Sequence, residues 1–280
     1  MRYFVVFKKN NCTFAQNSEM KRLLSITVFL LLAIIIVGLY YYYRWKPLWA
    51  LENPKAVYHV THRQDDTLRI VMIGDSWVGM RTDTLNNIFM KRLSEKINRP
   101  VIVKAKGKGG EKSRGIYHLM FEDNSFGTKP LLLSGADYCI IYAGINDAAA
   151  NLGKKQYLHY MRLIIDFLLA NGIRPVLIEI PDVNIWKVYG EKPIKDLMVD
   201  FIKSKMTDCG LYQYSGYRQA LLLLLKEYND SVLYVPMKGW NGDEPNINEH
   251  LFLDDQIHLD QRGYIELDSC VIDNISQDLK

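Results

Sequence analysis

The nonapeptide Leu68-Arg-Ile-Val-Met-Ile-Gly-Asp-Ser76 sets the architecture expected for this 280-residue chain. It is an apolar run that ends in a turn-forming Gly-Asp-Ser tripeptide, as a buried strand would. Two further apolar runs end in the same manner, at Gly107-Lys-Gly-Gly110 and at Gly144-Ile-Asn-Asp147. Ligands of open parallel sheets bind at the carboxyl ends of the strands. We therefore expect these polar residues to meet at one edge of a sheet.

Past residue 66, strand-like and helix-like runs alternate, which is typical of a parallel sheet covered on both faces by helices. The predicted strands span residues 68–73, 101–104, 137–142, 174–180 and 231–235. The predicted helices span residues 83–97, 156–170, 192–207 and 215–228, with a last one from residue 261. Asp83 is the predicted N-cap of the first helix, and Asn171-Gly172 the stop of the second. The sequence thus indicates the α/β class.

Asp255-Gln-Ile-His258, near the C-terminus, completes a set of residues suited to acyl transfer. A serine hydroxyl is a poor nucleophile at neutral pH and needs an adjacent base. Histidine suits that task because its ordinary pKa is about 6.5. Asp255 is close enough in sequence to hold the imidazole in one tautomer. We predict Ser76 as nucleophile, His258 as general base and Asp255 as the orienting carboxylate.

A tetrahedral intermediate of acyl transfer carries a negative oxygen that needs hydrogen-bond donors already aimed at it. The predicted donors are the backbone N–H groups of Ser76 and Gly110 and the side-chain amide of Asn146. A glycine at position 110 would let the backbone approach the substrate without an intervening Cβ.

Each motif also has an ordinary structural interpretation. Gly-Asp-Ser is common in turns, and Gly144-Ile-Asn-Asp147 would serve as a helix cap. Asp255 and His258 alone would be a surface ion pair of little energetic value. Their joint order and their placement after strands favour the catalytic interpretation.

These motifs resemble those of the SGNH hydrolases, the superfamily that includes the GDSL esterases and lipases. The resemblance runs from Leu68 to the C-terminus and includes Gly263-Tyr264 after the histidine block. The second block is looser, because Ala105-Lys-Gly-Lys-Gly-Gly110 lacks the asparagine that members often have there. Leu259 stands where many members have proline.

The resemblance implies a three-layer α/β/α flavodoxin-like fold with a mostly parallel five-stranded sheet, preceded here by one transmembrane helix. It also implies a serine esterase with a catalytic triad of Ser76, Asp255 and His258. The implied oxyanion hole consists of Ser76, Gly110 and Asn146. Neither a metal nor a cofactor is expected.

Leu23–Tyr43 is a run of twenty-one residues without a charge. At about 1.5 Å per residue such a helix spans about 30 Å, the thickness of a bilayer core. We predict an uncleaved transmembrane signal anchor, because tyrosines rather than a small-residue cleavage site follow the run. The expected organisation is a tail at 1–22, the anchor at 23–43, a linker at 44–66 and the hydrolase domain at 67–280.

The basic residues around the anchor predict its orientation. Five precede it and three follow it: Arg2, Lys8, Lys9, Lys21 and Arg22, against Arg44, Lys46 and Lys55. The positive-inside rule then places the catalytic domain outside the cytoplasm, in the periplasm or at the cell surface. Met20 is an alternative start site of the chain.

Composition and cysteine spacing narrow the classes of function. A net charge of +4 argues against a dedicated nucleic-acid binder. The four cysteines show no metal-ligand spacing, although a Cys209–Cys270 bridge stays open. Gly107–Ser113 departs from the phosphate-binding loop pattern, because Glu111 stands where that pattern requires glycine. The oligomeric state is not indicated.

Two tryptophans are the candidate substrate-binding residues. Trp77 follows the nucleophile and is expected to shape the acyl or alcohol pocket. Trp240 with Asn241-Gly-Asp243 would stack on and hydrogen-bond a sugar, as would Trp186, Tyr189, Tyr212, Tyr214 and Tyr217. Ordinary packing is the alternative for each aromatic side chain.

The expected function is a membrane-anchored serine esterase that removes an acyl group, acetyl above all, from an envelope or capsular glycan. Its partners would be an acylated small molecule, glycan or lipid and the membrane itself. Three alternatives stay open: an O-acetyltransferase of polysaccharide modification, a lysophospholipase or thioesterase, and a non-catalytic SGNH-like glycan-binding module.

Overall fold

The computed structural model describes residues 4–183, 192–207, 209–237, 239–240 and 249–280, and side chains from residue 19 onward within these ranges. The chain forms two compact units, Met1–Ala50 and Leu51–Lys280. The first unit is helix α1, Phe4–Trp45, followed by a 3₁₀ turn at Lys46–Trp49. Its Glu19–Trp49 portion is long and apolar enough to cross a membrane. This confirms the prediction of one N-terminal helix with that capacity.

The second unit is built on a sheet of five strands that are all parallel. The strands are β1 (Leu68–Gly74), β2 (Val101–Gly107), β3 (Tyr138–Tyr142), β4 (Arg174–Ile178) and β5 (Leu233–Val235). They lie in the order β2-β1-β3-β4-β5. This is the flavodoxin-like order, in which the chain reverses its direction of travel between β1 and β3. The predicted fold class is confirmed.

Helices cover both faces of this sheet. The long helices are α3 (Asp83–Ile97), α7 (Lys154–Ala170), α8 (Ile194–Met206), α9 (Tyr214–Leu225) and α10 (Gln261–Asp278). The short helices are α2 (Ser76–Gly79), α4 (Ser113–Leu119), α5 (Lys129–Leu132) and α6 (Ile145–Ala149). Helices α3 and α10 pack together in one layer, whereas α7 packs with α4 and α9 in the other. Every residue of β1 and β3 is buried between these layers, which explains their unbroken apolar runs.

Several predicted boundaries shift for local reasons. The N-cap of α3 is Thr82 and not Asp83, because the Thr82 hydroxyl accepts a hydrogen bond from the Leu85 N–H. Strand β2 continues to Gly107 because it pairs with β1 over its full length. Strand β4 ends at Ile178 and not at residue 180. The four short helices were not predicted, since helices of one or two turns are too short to show a hydrophobic periodicity.

Residues 52–62 pack along α4 and the end of α7. The Tyr117 hydroxyl accepts a hydrogen bond from the Lys55 N–H (2.7 Å). Further along, the Tyr58 hydroxyl donates to the Met120 carbonyl (2.7 Å). The side-chain oxygen of Asn171 accepts from the Val60 N–H (2.9 Å). The segment predicted as linker therefore belongs, from Leu51 onward, to the same compact unit as the sheet.

Candidate active site

Ser76 lies at the start of the one-turn helix α2, directly after β1. The Asp75 carboxylate caps this helix by accepting from the Trp77 N–H (3.0 Å). Gly74 is required before it, because an added Cβ would lie 2.5 Å from the Tyr142 carbonyl oxygen. The half-buried Ser76 hydroxyl forms no hydrogen bond with any residue that the structure describes. Catalytic hydrogen bonds often form fully only with substrate present.

The glycine-rich loop after β2 lies alongside the nucleophile turn. A Cβ on Gly107 would lie 2.4 Å from the Asp75 carbonyl oxygen, so no other residue fits there. The Lys108 N–H donates to the Gly74 carbonyl (3.1 Å). A Cβ on Gly109 would lie 4.0 Å from the Ser76 Cβ. The glycine loop therefore passes beside the candidate nucleophile.

Gly110 is required for its backbone conformation. Its φ is +73°, in the left-handed region, and nothing lies within 4 Å of a Cβ built on it. The expected close approach of this backbone to the substrate stays a prediction, and the positive φ is a separate reason for glycine at this position.

Asn146 lies in the first turn of α6 and connects the two loops just described. Its side-chain amide donates to the Glu111 carbonyl (3.0 Å) and to the Asp75 carboxylate (3.2 Å). Gly144, which caps α6 with a φ of +120°, has no room for a Cβ beside Ile180. The Asn146 amide therefore lies between the nucleophile turn and the glycine loop.

A buried pair of side chains fastens the glycine loop to α6. The Asp147 carboxylate accepts from the Ser113 hydroxyl (2.6 Å) and from the Ser113 N–H (2.9 Å). Both side chains are fully buried. Ser113 begins α4 three residues after Gly110, and Asp147 directly follows Asn146. This pair fixes the spacing between two of the predicted oxyanion donors, and the sequence motifs gave no role to Ser113.

Asp255 and His258 form a compact hydrogen-bonded unit. The Asp255 carboxylate lies 2.6 Å from His258 Nδ1, and its other oxygen accepts from the Ile257 and His258 N–H groups (3.0 and 2.9 Å). Partial burial raises the pKa of Asp255, but these hydrogen bonds outweigh it and leave the pKa below the ordinary value. The carboxylate therefore stays ionised and can hold the imidazole in one orientation.

Trp77 connects the histidine segment to the nucleophile turn. Its indole N–H donates to the Ile257 carbonyl (2.9 Å), and its own carbonyl accepts from the Tyr264 hydroxyl (2.9 Å). The neighbours of Ser76 and His258 in sequence are thus hydrogen-bonded to each other across 180 residues. No direct hydrogen bond joins Ser76 to His258 within the part of the chain that the structure describes.

Two buried carboxyl groups lie behind this edge of the sheet. Burial raises the pKa of Asp75 to about 7, and the repulsion of Asp147 adds to the effect. Burial also raises the pKa of Asp147 to about 6, against the hydrogen bonds from Ser113. The charge of His258 lowers the pKa of Asp75, but less than burial raises it.

A narrow and mostly apolar pocket opens beside Asp75. It is lined by Asp75, Trp77, Tyr142, Ala143, Ile145, Ile178, Glu179, Ile180 and Pro181. Trp77 is only 2% exposed, so its side chain acts as a wall of this pocket and as the hydrogen-bonded link described above.

Trp240 occupies a different environment from the one we predicted. It is 4% exposed and packs edge-on against Phe252, with ring centroids 6.0 Å apart. This burial does not support sugar stacking by its ring. Trp186, Tyr189 and Asn241–Asp243 lie outside the described residues.

The described part of the chain contains no group of three or more side chains that would hold a metal ion. Cys139, Cys209 and Cys270 are free thiols, so the Cys209–Cys270 bridge left open above is not formed.

Comparisons with known proteins agree with this geometry. The sequence model of the GDSL-like lipase/acylhydrolase family matches residues 72–264, more than half of the chain. No curated protein sequence matches. Among solved structures, a lipase/acylhydrolase from Enterococcus faecalis is similar, with a TM-score of 0.58 and 16% identity over 75% of this chain and 96% of that chain.

Two further structures show the same fold at similar distance. A putative lipolytic protein of the G-D-S-L family from Desulfitobacterium hafniense has a TM-score of 0.52 and 15% identity, over 73% of this chain and 98% of that chain. The esterase EstA from Pseudoalteromonas sp. has a TM-score of 0.50 and 15% identity, over 77% and 99%. Identities this low establish the likeness of fold alone.

Proposed function

This chain belongs to the GDSL-like lipase/acylhydrolase family and hydrolyses ester bonds, and from that premise we propose that Ser76, His258 and Asp255 are its catalytic triad. The observation that carries the proposal is the Asp255–His258 pair. Its hydrogen bond of 2.6 Å lies in a segment that the Trp77 indole ties to the nucleophile turn.

The reaction follows from this arrangement. The Ser76 hydroxyl oxygen attacks the ester carbonyl carbon while His258 takes the hydroxyl proton. The imidazolium then gives that proton to the departing alcohol, and a water molecule repeats the sequence on the acyl-enzyme. Asp255 keeps the ring in the tautomer that presents a free nitrogen to Ser76. The negative oxygen of each tetrahedral intermediate is bound by the N–H groups of Ser76 and Gly110 and by the Asn146 amide.

The place of Gly110 in the loop beside Ser76 supports its part in this oxyanion hole, and its φ of +73° explains why a glycine carries this N–H group. The Asn146 amide already donates to Glu111 and Asp75, so it must share or shift one hydrogen when the oxyanion forms. Its position between the nucleophile turn and the glycine loop supports that role, because the amide needs only a small shift to donate to an oxyanion formed there.

For the substrate, we propose an ester of a short acyl group, acetyl above all, on an envelope or capsular glycan outside the cytoplasm. The narrow pocket walled by Trp77 and Ile180 supports a short acyl chain. The apolar α1 supports a single-pass membrane anchor, and the excess of basic residues before it supports an extracytoplasmic domain.

The triad is tested with full-length protein in detergent and p-nitrophenyl acetate as substrate. We expect Ser76→Ala to lower kcat by about 10⁴-fold or more and to abolish labelling by a fluorophosphonate probe. Ser134→Ala is the control, because it removes a serine hydroxyl that donates to the Leu131 carbonyl and lies with Arg69 at the opposite end of β1. Unchanged hydrolysis in Ser76→Ala contradicts the proposal.

The role of Asp255 is tested in the same assay. We expect Asp255→Asn to lower kcat by about 10⁴-fold, because an amide favours the wrong tautomer of His258. Asp260→Asn is the control, since Asp260 lies five residues after Asp255 and caps α10 by accepting from the Gly263 N–H.

A series of p-nitrophenyl esters of increasing acyl length tests the pocket. A maximum of kcat/KM at long chains argues against an acetyl substrate.

A further inference from the structure

Helix α8 presents its large apolar side chains to the outside. Ile194, Met198, Phe201, Ile202 and Met206 are exposed by 77%, 60%, 51%, 45% and 44%. Their spacing of three and four residues places them on one side of the helix. A surface helix of a monomeric domain ordinarily turns such a stripe towards the core. We call these five residues the apolar face of α8.

The side of α8 that faces the domain is polar. Asp200 and Ser204 are buried on it. The Asp200 carboxylate accepts from the Tyr212 hydroxyl (2.6 Å) and from Lys192 Nζ (2.8 Å). At the end of the helix, Thr207 Oγ1 donates to the Asn151 carbonyl (3.0 Å). Rotating α8 to bury its apolar face would break these hydrogen bonds, which is costly for a buried carboxylate.

The outward orientation is thus fixed by the fold, and the exposed stripe is left for an external apolar phase. Contiguous exposed apolar residues of this kind mark interaction sites. Lys195 and Lys205 are exposed near the two ends of the stripe, and Lys205 Nζ lies 5.3 Å from the centroid of the Phe201 ring. An apolar stripe bordered by lysines is the pattern of helices that lie in the interface of an anionic bilayer.

We propose that the apolar face of α8 docks on the lipid surface of the membrane in which α1 is anchored, with Lys195 and Lys205 at the level of the lipid phosphates. The inference rests on the membrane anchor of the proposed function. Because that anchor keeps the domain near lipid at all times, even a weak interfacial affinity suffices for contact.

A second copy of the chain fits this surface less well. Two copies of α8 paired face to face about a two-fold axis would run antiparallel. Lys195 of each would then approach Lys205 of the other, and like charges across an interface are unfavourable. Anionic lipid headgroups instead complement both lysines.

The test uses full-length protein in nanodiscs that contain zwitterionic lipid with or without anionic lipid. A photoreactive benzophenone amino acid replaces Phe201, which is exposed enough to accept it. The same residue placed at Lys91, whose side chain is 78% exposed on α3, is the negative control, and at Ile34 in α1 it reports the anchor. After irradiation, lipid adducts and protein dimers are quantified, and hydrolysis of p-nitrophenyl acetate is measured on each sample.

We expect several-fold more lipid adduct at position 201 than at position 91, and more with anionic lipid. Adduct at 34 but none above background at 201 overturns docking while the anchor stands. A protein dimer at 201 instead of a lipid adduct also overturns it and favours self-association. Adduct at 201 without adduct at 34 supports docking and contradicts the anchor. Absence of ester hydrolysis in every sample would contradict the proposed function, but it would not change what the lipid adducts and protein dimers show about docking.

Discussion

At the scale of single residues, the buried hydroxyl of Ser113 shows how the proposed oxyanion hole keeps its shape. It donates to Asp147, next to Asn146, while its own backbone continues the loop that carries Gly110. Gly110 and Asn146 follow different strands, β2 and β3, so the distance between these two donors depends on the Ser113–Asp147 contact. Donors that stray from the oxyanion position lose much of their effect on rate.

We predict that Ser113→Ala lowers kcat for p-nitrophenyl acetate by about 10-fold or more, with KM little changed, because the donors are needed mainly in the transition state. It should also lower the free energy of unfolding by about 1–3 kcal/mol, since Asp147 loses a buried hydrogen bond. The measurements are steady-state kinetics and thermal unfolding.

Ser94→Ala is the matched control for that prediction. The Ser94 hydroxyl donates to the Arg99 carbonyl (2.7 Å) near the end of α3, away from the catalytic loops. The Ser94→Ala variant should be somewhat less stable than wild type and have the same kcat. Equal kcat in Ser113→Ala and wild type would show that Ser113 serves stability alone.

The residues proposed for chemistry are those that the sequence could supply. Ser76, Asn146 and His258 follow from motifs placed after strands or at the C-terminus. The sequence does not disclose the contacts of Trp77 or Ser113, because their partners lie 180 and 34 residues away. The reason for Gly110 also required a backbone angle, which a residue name does not give.

At the scale of elements, a buried ion pair connects α10 to the turn between α2 and α3. Arg81 donates two hydrogen bonds to the Asp268 carboxylate, both 2.9 Å long, and the two side chains are 0% and 1% exposed. The Tyr264 ring, one turn before Asp268, lies 5.4 Å from the guanidinium. The pair therefore aligns α10, whose Tyr264 hydroxyl holds the Trp77 carbonyl.

We predict that Arg81→Met and Asp268→Leu each lower the free energy of unfolding by about 3–5 kcal/mol, because each leaves one buried charge without its partner. The double variant should be more stable than either single variant, since no buried charge is left. Urea titrations of all three check this. Lys91→Met, which removes an exposed pair with Glu95, is the control and should leave stability unchanged. Additive single effects would mean that the two side chains contribute independently.

Element boundaries were predictable where periodicity and end signals agree. Helix α3 has the predicted bounds, and α7 begins two residues earlier than predicted and ends at Ala170. The inverted orientation of α8 was not predictable, because its polar side is satisfied by Tyr212 and Lys192, which periodicity does not identify as partners. A hydrophobic stripe in the sequence identifies the apolar face of a helix, but it does not show whether that face points to the core or to solvent.

At the scale of the whole molecule, the buried carboxyl groups of Asp75 and Asp147 couple stability to pH. Their pKa values are about 7 and about 6 in the folded state. In the unfolded chain an aspartate has a pKa of about 3.9. Between these values the folded protein retains protons that the unfolded chain releases. Their contribution to stability is therefore fully present below about pH 4 and is lost as the pH rises towards about 7.

We predict that this loss is smaller in Asp147→Asn, which cannot ionise at that position. The measurement is the thermal unfolding midpoint at a series of pH values across that window, compared with wild type. Asp254→Asn, at an exposed position, should follow the wild-type curve. Parallel curves for wild type and Asp147→Asn would show that Asp147 has an ordinary pKa in the folded protein.

The overall α/β architecture could be predicted from the alternation of apolar runs. The strand order could not be derived from these runs, but it agrees with the flavodoxin-like fold that the family resemblance implies. The association of residues 52–62 with the domain could not be predicted either. Its hydrogen bonds use backbone groups and tyrosine hydroxyls, which follow no sequence pattern.

That association has a consequence for the proteolytic release of the domain from α1. Glu52 contacts Arg114 and His118 through its carboxylate and His159 through its carbonyl, and only Ala50 and Leu51 separate it from the turn that ends at Trp49. A protease that sheds the domain intact must therefore cut within a very short window. Cleavage after Glu52 would detach residues that pack against α4. Since α4 begins at Ser113, next to the glycine loop, such a cut would also weaken the support of the proposed site.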